Sequence, residues 1–149
     1  PPRSTLFPYT TLFRSGYQPR DAVVYHHVTT VDGILEKDNP AIYDYDVPDR
    51  LRELATKKDF GRYGEDGEMP VCVVASNHTS GGNSGSPLVN GDGHLIGINF
   101  DRCWEGTMSD IMYDPSVCRN ISLDIRYALF IIDKFAGAGY LLNEMTLVE

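Results

Sequence analysis

Between residues 71 and 100 the chain alternates short apolar runs with glycine-bearing turns, and this alternation restricts the fold more than any other feature of the sequence. Val71-Cys72-Val73-Val74-Ala75 is apolar and β-branched, too short for a stable helix and suited to a buried strand. A glycine-dense turn runs from Ser80 to Pro87, after which Leu88-Val89 resumes extended structure. Asn90-Gly91-Asp92-Gly93 is a strong hairpin signal, because Asn and Gly accept the backbone conformations that tight turns need. His94 to Phe100 then reads as the returning strand. Strand, glycine turn, strand, hairpin, strand is the order of an antiparallel barrel.

The flanks extend this pattern. Val23, Val24, Tyr25, Val28, Thr29, Thr30 and Val31 predict one or two strands, with Asp32-Gly33 as a turn between them. From Pro48 to Lys58 the spacing is helical: Pro48 suits a first turn, Leu51, Leu54 and Ala55 share a face, and Gly61 follows shortly after. Residues 61–69 are polar and glycine-rich, hence a loop, and residues 101–119 read as irregular. Ile121-Ser122-Leu123 predicts a last strand. Asp124 is placed to cap a helix reaching about Phe135, which Ala136-Gly137-Ala138-Gly139 would stop. The expected class is therefore mainly β with a C-terminal helix.

Residues 1–15, PPRSTLFPYTTLFRS, stand apart, since they contain no acidic residue and repeat Thr5-Leu6-Phe7 as Thr11-Leu12-Phe13. That echo is too short for a structural repeat. The segment resembles translated sequencing-adaptor sequence and is set aside as a non-native tail, leaving residues 16–149 as one unit.

At 149 residues one domain is the ceiling. A net charge of -8 repels nucleic acid and anionic lipid, so neither is an expected partner. No apolar run reaches the length of a membrane span, and no export signal is present in this stretch. Cys72, Cys103 and Cys118 lack the paired spacing of a zinc site, so no metal or other cofactor is expected. Cys103 and Cys118 are compatible with a disulfide in an oxidising compartment and equally with two free thiols.

Chemistry concentrates in Gly82-Asn83-Ser84-Gly85-Ser86-Pro87. A serine hydroxyl attacks a carbonyl only when a base takes its proton, and the tetrahedral intermediate needs backbone N–H donors aimed at its oxyanion. An unobstructed turn at Gly82-Asn83-Ser84 can point the Gly82 and Ser84 amides at one spot, with Gly85 letting the chain leave without crowding a substrate. The hexapeptide resembles the Gly-Asp-Ser-Gly-Gly-Pro signature of chymotrypsin-like peptidases and its bacterial Gly-Asn-Ser-Gly variant. In that order the triad histidine and aspartate precede the serine. His26, His27, His78 and His94 do not match the context of the triad base. The segment alone is therefore expected to be inactive.

From about Gly16 to Val148 the chain resembles the end of the bacterial dipeptidyl-peptidase 7/11 family of serine exopeptidases. The resemblance rests on Thr79 to Pro87, Gly97-Ile98-Asn99-Phe100-Asp101-Arg102, Trp104-Glu105-Gly106, Tyr113-Asp114-Pro115, Arg119 to Tyr127 and Leu129 to Gly137. It implies removal of dipeptides from peptides with a free amino terminus, by a chymotrypsin-like double barrel whose second barrel this segment would supply. It further implies a periplasmic homodimer from a Gram-negative bacterium, Ser84 as nucleophile, and Asp101 as a holder of the substrate ammonium. Arg102 matches the members that prefer Asp or Glu before the scissile bond, a guanidinium offering a planar fork to a carboxylate. The alternative for Arg102 is a solvent-facing side chain paired with Asp101 or Glu105. Phe100 and Trp104 are expected to line the pocket or the core. Competing readings are a chymotrypsin-like bacterial endopeptidase and a non-catalytic protease-like fragment.

Overall fold

The computed structural model describes residues 27–148. The tail at residues 1–15, His26 and the strand expected around Val23 to Tyr25 lie outside them. Five strands make one antiparallel sheet: β1 (Val28–Thr30), β2 (Pro70–Ala75), β3 (Pro87–Val89), β4 (Leu95–Arg102) and β5 (Asn120–Asp124). Their spatial order is β1-β2-β5-β4-β3. The Asn90 to Gly93 hairpin joins β3 to β4 as expected, and the glycine turn carries the chain from β2 across to β3 at the opposite edge.

The helices are α1 (Val31–Leu35), α2 (Asp49–Thr56) and α3 (Ile125–Phe130), the last continuing as a π-helical turn over Ile131–Phe135. The described fold is thus mixed α/β rather than mainly β. A second departure explains part of this: Asp32-Gly33 lies inside α1, not in a hairpin turn. A hairpin there would need its partner strand immediately downstream, but β1 pairs with β2 far along the chain, Val28 opposite Val73 and Thr29 opposite Cys72. Val31 closes that ladder by donating to the Met69 carbonyl (2.9 Å) and is itself fully buried. With its partner supplied from elsewhere, the chain is free to coil, and Asp32 suits the positive end of a first helical turn.

α2 buries Leu51, Leu54 and Ala55, the face read from their spacing, with Pro48 at the cap position. Asp124 caps α3, its carboxylate accepting from the Arg126 N–H (2.9 Å). Phe60 and Tyr63, from the segment after α2, and Phe130 of α3 share one buried core with Val71, Val74 and Ile121 of β2 and β5. The β3–β4 side carries less cover: Val89, Leu95 and Ile96 are exposed. Among the described residues β1 and β3 are unpaired edges, so the sheet is open.

Candidate active site

The turn between β2 and β3 is built by its own polar groups. Asn83 Oδ1 accepts from the Ser80 N–H (2.8 Å), the Asn83 N–H returns to the Ser80 carbonyl (3.2 Å), and the Ser86 N–H donates to the Asn83 carbonyl (3.0 Å). Gly82 and Gly85 hold φ of 98° and 85°, a region that side chains other than glycine's rarely enter. Asn99 of β4 then grips the turn from below. Its carbonyl accepts from Gly85 (2.7 Å), its N–H donates to Ser86 (2.8 Å), and its Nδ2 donates to the Asn83 carbonyl (3.0 Å). Asn99 is buried, and its Oδ1 accepts from Asn120, which also donates to Ser122 Oγ (2.8 Å).

This lattice uses the amides of Asn83, Gly85 and Ser86. Among the described residues no hydrogen bond engages the Gly82 or Ser84 amide. The Ser84 side chain is exposed, and among the described residues its Oγ makes one long contact, to the Phe100 carbonyl (3.4 Å). No histidine of the described residues bonds it. His78 instead donates from Nε2 to the Ser109 carbonyl (2.9 Å) and lies against the Tyr113 ring. The carbonyl can only accept, so the proton sits on Nε2.

Phe100 reaches Ser84 because β4 is bulged. Asn99 faces Ser122 and Asp101 faces Ile121, leaving Phe100 as the extra residue. The phase change leaves Asn99 buried, Asp101 exposed and Phe100 half-exposed at 39%. Asp101 Oδ1 accepts from the Arg102 N–H (2.8 Å). Trp104 is 84% exposed and Phe100 also stands outside the core, so neither is a core residue here.

Arg102 is paired, though with neither Asp101 nor Glu105. Its Nη1 and Nη2 form a two-point fork with the carboxylate of Asp110 (2.6 and 2.5 Å), and Nη1 also donates to Ser109 Oγ (3.0 Å). Asp110 Oδ1 simultaneously accepts from the Gly81 N–H (2.9 Å). The Arg102 hydrogen bond, then that of Gly81, holds the Asp110 carboxyl down at about 2. Ser109 is buried; its Oγ donates to the Thr79 carbonyl (2.6 Å). Ser109 and Asp110 carried no motif signal; Asn99 lay inside the Gly97 to Arg102 block, where a buried amide in an apolar strand was the one hint of its clamping role.

No disulfide joins Cys72, Cys103 and Cys118, all of which are buried, so the two-thiol alternative describes this structure. Burial pushes the Cys72 thiol above its usual range. No cluster of His, Cys, Asp and Glu suited to a metal occurs among the described residues.

A glycine turn presenting an exposed serine beside two free amides, backed by a bulged strand, is peptidase-like local geometry. The sequence matches the Peptidase S46 family over residues 14–147, and the chain belongs to that family. It is 60% identical over 134 residues to the Asp/Glu-specific dipeptidyl-peptidase of Flavobacterium psychrophilum, covering 90% of this chain and 19% of that protein. The dipeptidyl-peptidase 7 of Phocaeicola vulgatus is 49% identical over 134 residues, again 19% of its length. The crystal structure of Porphyromonas endodontalis DPP11 in complex with the dipeptide Arg-Asp superposes with a TM-score of 0.81 at 53% identity, covering 86% of this chain and 19% of that one. The chain thus spans about a fifth of the length of the relatives it matches.

Proposed function

We propose that this segment is the nucleophile-bearing part of a serine dipeptidyl-peptidase that releases dipeptides from free amino termini and prefers Asp or Glu before the scissile bond. The observation that carries the reading is the Ser84 turn: positive φ at Gly82 and Gly85, an exposed hydroxyl, and two flanking amides left without an acceptor in the hydrogen-bond lattice. A base from the remainder of the enzyme takes the Ser84 proton as Oγ attacks the scissile carbonyl. The Gly82 and Ser84 amides receive the oxyanion, the leaving amine takes the proton, and water releases the dipeptide from Ser84. Asp101 holds the substrate's terminal ammonium beside Phe100, and Arg102 takes the acidic side chain. An anchored charge at fixed distance from the nucleophile measures off two residues.

In this reading residues 16–149 form one unit of the peptidase domain. The open sheet belongs to the second barrel of a double-barrel peptidase, with its uncovered β3–β4 side met by the rest of the enzyme. Homodimerisation and a periplasmic address complete the proposal; no helix among the described residues is long and apolar enough to cross a membrane.

The test uses the complete enzyme with dipeptidyl amide reporters. Ser84→Ala should remove turnover while the folded protein still binds peptide, and Arg102→Gly should cut cleavage after Asp and Glu on the order of 100-fold while sparing apolar residues. Turnover by the Ser84 variant, or cleavage of amino-terminally blocked peptides by the wild type, would sink the reading. The latter result would mark an endopeptidase.

A further inference from the structure

Arg102 has five N–H donors in its guanidinium, and the structure accounts for three of them. Nη1 uses both hydrogens, on Asp110 Oδ1 and Ser109 Oγ, and Nη2 uses one, on Asp110 Oδ2. Two remain without a partner among the described residues: Nε–H and the second Nη2–H. They lie on the same edge of the planar group, spaced to fit the two oxygens of one carboxylate. Asp110 therefore does not consume the recognition capacity of Arg102. It occupies the end of the guanidinium and leaves one intact fork.

The same carboxylate reaches the nucleophile turn through the Gly81 amide, one residue before Gly82. Ser109 adds a second strap, receiving Arg102 Nη1 while its Oγ donates to the Thr79 carbonyl at the start of that turn. An arginine on a flexible four-bond stem is thereby fixed in rotation, and in distance from the residue at position 84, by groups on a third segment. Without these straps the guanidinium would sample several rotamers, and each carboxylate bound would have to restrict it anew.

We propose that Asp110 is a positioning residue for acidic-substrate selection: it orients Arg102 so that the Nε–Nη2 edge meets the substrate's Asp or Glu side chain, and ties that edge to the nucleophile turn through Gly81. This rests on the reading of Arg102 given above. Asp110 contacts neither substrate nor reacting atoms and acts through Arg102 and Gly81. Its negative charge opposes the approach of a second carboxylate, so fixing the geometry must outweigh that repulsion.

The experiment measures kcat and KM in the complete enzyme for reporters with Glu or Leu before the scissile bond. Wild type, Arg102→Ala, Asp110→Ala, Asp110→Asn and the Arg102→Ala/Asp110→Ala double variant are compared. Asp110→Ala should lower the Glu-over-Leu preference by at least about 10-fold, toward the roughly 100-fold that a misplaced group can cost, mainly through KM for the Glu reporter. Asp110→Asn keeps a carbonyl oxygen for Gly81 or Arg102 and should recover part of it; it also serves if the alanine variant does not fold. Because Asp110 acts through Arg102, the double variant should show the preference of Arg102→Ala alone. Equal losses on both reporters would overturn the proposal in favour of a purely structural role, and a gain on Glu would show that Asp110 restrains Arg102 by charge. If Arg102→Ala itself keeps the Glu preference, the reading of Arg102 falls and the proposal with it. Dependence on Arg102 with indifference to Asp110 removes the proposal alone.

Discussion

Gly82→Ala isolates what the turn contributes to turnover. Among the described residues, the two chain neighbours aside, nothing lies within 4 Å of a methyl group placed on Gly82, so the substitution meets no clash there. Its whole cost is backbone: at φ of 98° an alanine is strained by roughly 1–3 kcal/mol. In the resting enzyme the exposed turn can relieve that strain by rotating, which carries the Gly82 amide away from the proposed oxyanion position. The transition state then has two routes. Either the turn rotates back at the strain cost, or the oxyanion forms with one donor missing, at roughly 3–4 kcal/mol. The cheaper route sets the rate, so kcat should fall about 5- to 150-fold with KM near its wild-type value. Steady-state kinetics of the complete enzyme on a Glu reporter measure this. Gly91→Ala is the control, since Gly91 sits in the β3–β4 hairpin turn, outside the left-handed region and with equally open space. Wild-type kcat in the Gly82 variant would refute the oxyanion role of that amide.

Two further outcomes concern stability. Gly97 of β4 lies against the Leu123 carbonyl, and a methyl group there would sit 2.7 Å from that oxygen, so Gly97→Ala should destabilise by roughly 1–3 kcal/mol, read as a lowered melting temperature; an unchanged melt would show that β4 and β5 separate easily. Burial first, then the nearby Cys72, pushes the Tyr127 hydroxyl up to about 12 from its ordinary 10.0. A raised folded value means that this contribution to stability is complete below 10 and is lost as the pH rises through 12. Tyr127→Phe should therefore flatten the alkaline decline in a pH series of denaturation curves, and an unchanged slope would exclude this tyrosine as its source.

What could be read from the sequence was what short-range signals determine. The strand at 71–75, the Asn90 to Gly93 hairpin, the face of α2 and the Asp124 cap each depend on residues within a few positions of one another, and each stands in the structure. Asp32-Gly33 failed because the same dipeptide serves a hairpin or a helix start, and the choice lies with β2, far along the chain. The Ser84 turn was visible in its glycines, but its clamp was not: the bonds from Asn99 cross from another strand. Arg102 was visible as a charge and its partner was not, because Asp110 falls between the Trp104-Glu105-Gly106 and Tyr113-Asp114-Pro115 blocks in a stretch with no helical or strand period. It takes its shape as a 3₁₀ segment, Trp104–Asp110, from ties such as Ser109 to Thr79 and His78 to Ser109.

The additional residue in β4 has a consequence for anyone transplanting this specificity. In a regular ladder residues 99 and 101 would project from one side of the sheet, forcing a buried amide and a solvent-seeking carboxylate into the same environment. The insertion at Phe100 lets one strand serve two masters, the buried clamp at Asn99 before it and a charged rim after it. Copying Asp101 and Arg102 onto an unbulged strand would reproduce the letters and reverse the faces.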